Sequence, residues 1–150
     1  MIVHTLLAFA GTIAFALLFG VPRKYFINCG CIGGAGWLLY EALMAFAGAT
    51  ATEATFFATV LVILLSRLRA VRARCPVTVF LISGIFPLVP GAGIYWTSYY
   101  LVTGQMSQAV SSGFVAVKAA IAIVLGIVFV FEIPNKFFRL LDRRKNRAVR

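Results

Sequence analysis

Apart from Lys118, arginine and lysine occur in this chain only after every second apolar run, and that alternation restricts the fold more than any single motif. The runs cover about residues 2–20, 27–49, 54–70, 77–102 and 114–133. Each approaches the roughly 20 residues that a helix needs to cross a bilayer. Arg23 and Lys24 follow the first run, Arg67, Arg69, Arg72 and Arg74 follow the third, and seven basic residues from Lys136 to Arg150 follow the fifth. The other two connections hold none. Basic residues are retained on the cytoplasmic side of membrane proteins, so each run is predicted to cross once, with the N-terminus outside and the C-terminus inside.

Composition agrees with that reading. Hydrophobic residues make up 62% of the chain and charged residues 12%, with a mean hydropathy of +0.99; a soluble domain is roughly half apolar and a quarter charged. The expected fold is an all-α integral membrane protein of about five transmembrane helices. It forms a single transmembrane domain over 1–150, with a basic cytoplasmic tail at 134–150, in the cell inner (plasma) membrane. A net charge of +10 would suggest nucleic acid in a soluble chain. Here the charge sits at the ends of apolar runs, which argues for membrane lipids as the partner and against nucleic acid. A cleaved signal peptide is the rival reading of 2–20, but Arg23 and Lys24 follow the segment, whereas a signal peptide carries its basic residues first. In the tail, Phe137, Phe138, Leu140 and Leu141 are interleaved with basic residues. That mixture suits a helix lying on the membrane surface or a solvated stop-transfer segment.

Small residues recur at helical spacing. Ala8, Thr12, Ala16 and Gly20 stand four apart, as do Gly30 and Gly34, and Ala51, Thr55 and Thr59. Such stripes let helices approach closely, which is how helices associate in lipid. Cys29, Cys31 and Cys75 are predicted on the reducing side. The single histidine, His4, is predicted at the outer surface and cannot join them, so no metal site is expected. No nucleophile, base and orienting acid stand out as a set, so no enzyme and no cofactor are expected.

Glu41 and Lys118 fall well inside predicted spans, away from their ends. Glu41, in "WLLYEALMAF", lies near the middle of the second, where a charge is costly and functional by default. It reads as a proton-coupling or substrate-ammonium site, or as a neutral or paired structural carboxyl. Lys118, about one turn into the fifth span, is either its ion-pair partner or extends its amine to the interface.

The fourth run contains the chain's worst helix formers at its middle: "FPLVPGAGIYW", Phe86 to Trp96, holds Pro87, Pro90, Gly91 and Gly93. Proline removes a backbone donor and glycine frees the chain. In hydrocarbon such a break survives only where protein or a watery cavity satisfies the freed backbone. Transporters use broken helices of this kind to bind solutes. Tyr95 and Thr97, just after the break, would offer hydroxyls to a polar solute; the alternative is a packed kink without a ligand.

The segment "FLISGIFPLVPGAGIYWTSYYLVTG", Phe80 to Gly104, resembles the hallmark segment of the threonine/serine exporter (ThrE) family, particularly its small YjjB-like membrane subunit. Pro87, Pro90, Gly91 and Tyr95 match its Pro-x-x-Pro-Gly-x-x-x-Tyr core. "FALLFGVPRKYFINCGCIGGAGWLLY", Phe15 to Tyr40, is similar to that family's first-to-second span connection. The resemblance implies a membrane subunit of a gradient-driven exporter of small amino acids, such as threonine and serine, or of small organic acids. It also implies a larger membrane subunit of the same family as partner, with a homo-oligomer as an open alternative. A purely structural or assembly subunit is the different-class reading. No family motif covers Glu41 or Lys118.

Overall fold

The structure is a computed structural model that describes residues 1–134, and its described residues form six α-helices. These are α1 (Ile2–Leu18), α2 (Phe26–Phe46), α3 (Ala51–Ala73), α4 (Thr78–Ile85), α5 (Gly91–Val102) and α6 (Met106–Phe131). One 3₁₀ turn, Arg23–Tyr25, leads into α2, and another, Phe86–Leu88, continues α4. The expectations for the tail from Lys136 to Arg150 lie outside the described residues.

Local chemistry sets several of the ends. α3 starts at a reciprocal cap: Glu53 N–H donates to Thr50 Oγ1 at 3.3 Å, while Thr50 N–H donates to Glu53 Oε2 at 2.8 Å, so two otherwise orphaned donors are satisfied. α1 and α5 each stop before a glycine in the left-handed region, Gly20 (φ +67°) and Gly104 (φ +74°). There the next amide turns back onto the helix, from Val21 to the Ala16 carbonyl and from Gln105 to the Tyr100 carbonyl, which only glycine allows at little cost.

Two helices are longer than their apolar runs. α6 begins at Met106, eight residues before the expected 114; "MSQAVSSG" holds no proline and its Gly113 packs against Thr97, so polar residues there extend the helix. α3 runs on to Ala73, which puts Arg67, Arg69 and Arg72 on its last turns instead of in a connection. Arg67 is only 6% exposed. Its guanidinium donates to the Val130 carbonyl at 2.5 Å and lies over the Phe131 ring at 5.5 Å. The Ile133 amide also donates to that carbonyl, at 3.2 Å, and Pro134, four residues beyond Val130, has no N–H to offer it, so the arginine from α3 supplies a second donor at the end of α6.

Packing is inverted relative to a soluble core. Ala16, Ala54, Ala58, Ala116 and Ala122 are buried, as are Gly30, Gly33, Gly34 and Gly36. Leu6, Leu7, Leu18, Phe46, Phe114 and Phe129 stand more than 60% exposed. Small residues at the contacts and large apolar ones outside are what close helix packing in lipid produces. A Cβ on Gly33 would collide with Thr12 and one on Gly36 with Val62. Three helices, over Arg23–Phe46, Ala51–Ala73 and Met106–Phe131, are long and apolar enough to cross a membrane, and a fourth if the bent pair α4–α5 counts as one. At 17 residues, α1 is shorter. The chain is an all-α multi-pass membrane protein.

α4 is enclosed by α1, α2 and α3; α6 packs on α3; and α5 packs on α6.

Candidate functional site

The backbone between α4 and α5 changes course because of its two prolines. Pro87 has no N–H for the Ser83 carbonyl, and the Phe86 amide supplies one from three residues away instead. In the same way Pro90 cannot serve the Phe86 carbonyl, and the Val89 amide does so at 3.1 Å. Bonds of the i→i−3 type tighten the chain into a 3₁₀ turn. Val89 then becomes extended, at φ −63° and ψ 131°, as the residue before a proline prefers. Pro90 caps α5, and the helix axis has turned by 51°. The Gly91 amide folds back onto the Val89 carbonyl at 2.7 Å, and the Ile94 amide onto Pro90. Among the described residues, the amides of Ala92 and Gly93 have no acceptor.

The depth of this turn follows from its neighbours. Gly84 lies against Ile32 of α2, and Leu88 lies 3.9 Å from where a Cβ of Gly36 would stand, beside Val62. Gly36 is the middle residue of α2 and Val62 the middle residue of α3. The first half of the broken pair therefore ends halfway along the helices that enclose it.

Beyond Leu88 the same face of α2 continues without α4. Ile32, Gly36 and Tyr40 are spaced four apart and share that face. Trp37 packs on Tyr40 with ring centroids 5.2 Å apart and the rings tilted by 35°. Trp37 Nε1 and Glu41 Oε2 are both buried and have no hydrogen-bond partner among the described residues. Glu41 Oε1 accepts from His4 Nδ1 of α1 at 2.5 Å, and the terminal ammonium lies 3.5 Å from Oε2.

The expected site residues thus divide into two groups. Pro87, Pro90 and Gly91 form the turn, and no atom crowds a Cβ at Gly91. A Cβ at Gly93 would stand 3.0 Å from that of Ala116 of α6. The Thr97 hydroxyl donates to the Gly93 carbonyl at 2.7 Å, and its methyl packs on Gly113. Tyr95 is 62% exposed and packs edge-on against Trp96. Glu41 stands in the last third of α2, not at its middle, because α2 ends at Phe46. It pairs with His4, while Lys118 is exposed with its amine over the Phe114 ring at 5.0 Å, so Glu41 and Lys118 form no ion pair. Trp37 and Tyr40 escaped the sequence reading, as did the pairing of His4 with Glu41, although Trp37, Tyr40 and Glu41 at i, i+3 and i+4 already mark one helix face.

The described residues contain no group of three or more His, Cys, Asp or Glu placed to hold a metal. A shallow apolar groove of about 360 Å³ lies between α5 and α6, with Thr97, Ala109, Gly113 and Phe114 in its walls.

The family model described as "Threonine/Serine exporter, ThrE" matches residues 4–133. Neither a curated protein nor a solved structure matches the chain. With the match running over nearly the whole chain, the protein belongs to the threonine/serine exporter family. Its role is that of a membrane transporter of small amino acids, not of an enzyme.

Proposed function

We propose that this member of the threonine/serine exporter family is the small, YjjB-like subunit of a gradient-driven exporter, working with a larger membrane subunit of the same family. It lies in the inner membrane with five spans, its N-terminus outside and its C-terminus in the cytoplasm. α4 and α5 together form the fourth span. Pro87, Pro90, Gly91 and Gly93 shape its break, Tyr95 and Thr97 line the solute's path, and Glu41 couples transport or holds the solute.

The observation that carries this reading is the 51° turn halfway along α2 and α3. At that depth water is scarce, and unpaired backbone groups are costly unless they face a cavity or a polar solute. The free amides at the start of α5, at the positive end of its dipole, suit the anionic end of such a solute. Lys118, over Phe114, serves in this reading to hold the outer end of the fifth span at the interface.

Export of L-threonine from cells tests the proposal. Gly91→Leu, whose Cβ meets no neighbour within 4 Å, and Tyr95→Phe are expected to reduce export at least tenfold with normal membrane levels of the protein. Unchanged export in both variants, with the complex still assembled, would sink it.

The alternative, a subunit that only docks its partner, draws on two observations. The Thr97 hydroxyl is already occupied by its own helix, and no residue of α5 is buried.

A further inference from the structure

In the half of the molecule beyond Leu88, two buried polar atoms on one turn of α2 lack hydrogen-bond partners among the described residues: the donor Trp37 Nε1 and the acceptor Glu41 Oε2. A buried polar group without a partner costs several kcal/mol in an apolar setting, and each such group in a native structure calls for an explanation. The third such atom, Thr59 Oγ1, belongs to a different contact, where Thr59 meets Gly126 of α6. Trp37 and Glu41 are four residues apart, so their side chains are neighbours with Cβ atoms about 6 Å apart.

Both side chains are held in place. Trp37 packs tilted against Tyr40, and the other oxygen of Glu41 is bound by His4. The terminal ammonium pairs ionically with the carboxylate, 3.5 Å from Oε2, a distance beyond the usual range of an N–H···O bond. One donor and one acceptor without hydrogen-bond partners among the described residues, a helical turn apart, complement a molecule that carries an acceptor and a donor on adjacent atoms. A zwitterionic α-amino acid is such a molecule, with carboxylate and ammonium on one carbon.

Resting on the transport reading above, we propose that Trp37 and Glu41 form a two-point receptor for the head group of a small α-amino acid. Trp37 Nε1–H donates to the carboxylate, and Glu41 Oε2 accepts from the ammonium.

Fluorescence tests the receptor independently of transport. Trp37 and Trp96 are the only tryptophans, so Trp96→Phe in the full-length protein in lipid nanodiscs leaves Trp37 as the sole reporter. L-threonine is expected to shift its emission saturably. L-threoninamide, which lacks the carboxylate, and 3-hydroxybutyrate, which lacks the ammonium, should need roughly tenfold higher concentrations or more, as expected when a hydrogen bond to a charged group is lost. Glu41→Gln should weaken the L-threonine response by a similar factor. No response to L-threonine, or equal responses to all three compounds, would overturn the receptor. Export in cells separates the two proposals. If Gly91→Leu abolishes export of L-threonine while Trp37→Phe leaves its apparent affinity unchanged, the break stands and the receptor falls. If Trp37→Phe weakens that affinity roughly tenfold while Gly91→Leu exports normally, the receptor stands and the break falls.

Discussion

The two halves of the broken helix pair live in different surroundings. α4 and the turn after it bury Phe80, Ser83, Gly84 and Leu88 among α1, α2 and α3. α5, which is longer, buries nothing and leans on α6. Its aromatic side chains stack on one another, with Trp96 5.8 Å from Tyr100 and 5.6 Å from Tyr99, and Tyr95, Trp96 and Tyr99 remain 45% or more exposed. One half is fixed to the bundle by close contacts. The other is joined to it by an extended residue, two prolines and a single helix neighbour. Such an asymmetry concentrates any motion of this region at Val89–Gly91, since elements with few buried contacts open most easily.

If that contrast is real, damage to the enclosed half should far exceed damage to the free half. The largest effect is expected from Gly36→Leu. Its Cβ alone meets Val62, and a full side chain would also displace Leu88; overpacking of this kind costs about 3 kcal/mol or more. Thermal unfolding in detergent should show a large drop in midpoint or no folded protein at all. A midpoint close to that of the unaltered chain would mean that α4 is not clamped as described.

Arg67→Met comes next. It keeps the side chain's length but removes the bond to the Val130 carbonyl, at about 1–3 kcal/mol. The expected signature is loss of α3–α6 contact, read as faster cross-linking loss between cysteines placed at Thr59 and Gly126, with α5–α6 contacts kept. The smallest effect is expected from Tyr99→Ala in α5, within about 0.5 kcal/mol by the same unfolding measurement, as for substitutions away from packed features. A large loss there in the isolated chain would break the contrast.

Much of this architecture is legible in the linear pattern. The small-residue stripe through Thr12 and Ala16 becomes the buried face of α1, because a period of four maps onto one side of a helix. Gly30 and Gly34 become its counterpart on α2, meeting Phe9. The position of the break follows from Pro87 and Pro90 alone. Boundaries marked by polarity were less legible. "MSQAVSSG" reads as a loop by composition, yet it contains no residue that stops a helix. The arginines after the third run read as a connection, yet arginine is a good helix former.

The candidate site was legible only in its backbone half. His4 and Glu41 are 37 residues apart, and no local pattern relates them; they meet because the small stripes of α1 and α2 bring those helices together in antiparallel order. Likewise Arg67 looks like one of four boundary charges until the packing of α3 on α6 sets its guanidinium against the Val130 carbonyl.

The sequence by itself determined that this chain lives in a membrane, where its helices touch, and which residue ends its fourth run midway. Those properties follow from transfer energy, helical periodicity and the chemistry of proline, all of which act over a few turns. Only the tertiary structure decided that the break stands level with Gly36 and Val62, that α5 leaves the bundle, and that Glu41 faces His4 instead of Lys118. Those outcomes depend on which surfaces fit together across dozens of residues, and close packing, unlike hydropathy, has no short-range signature.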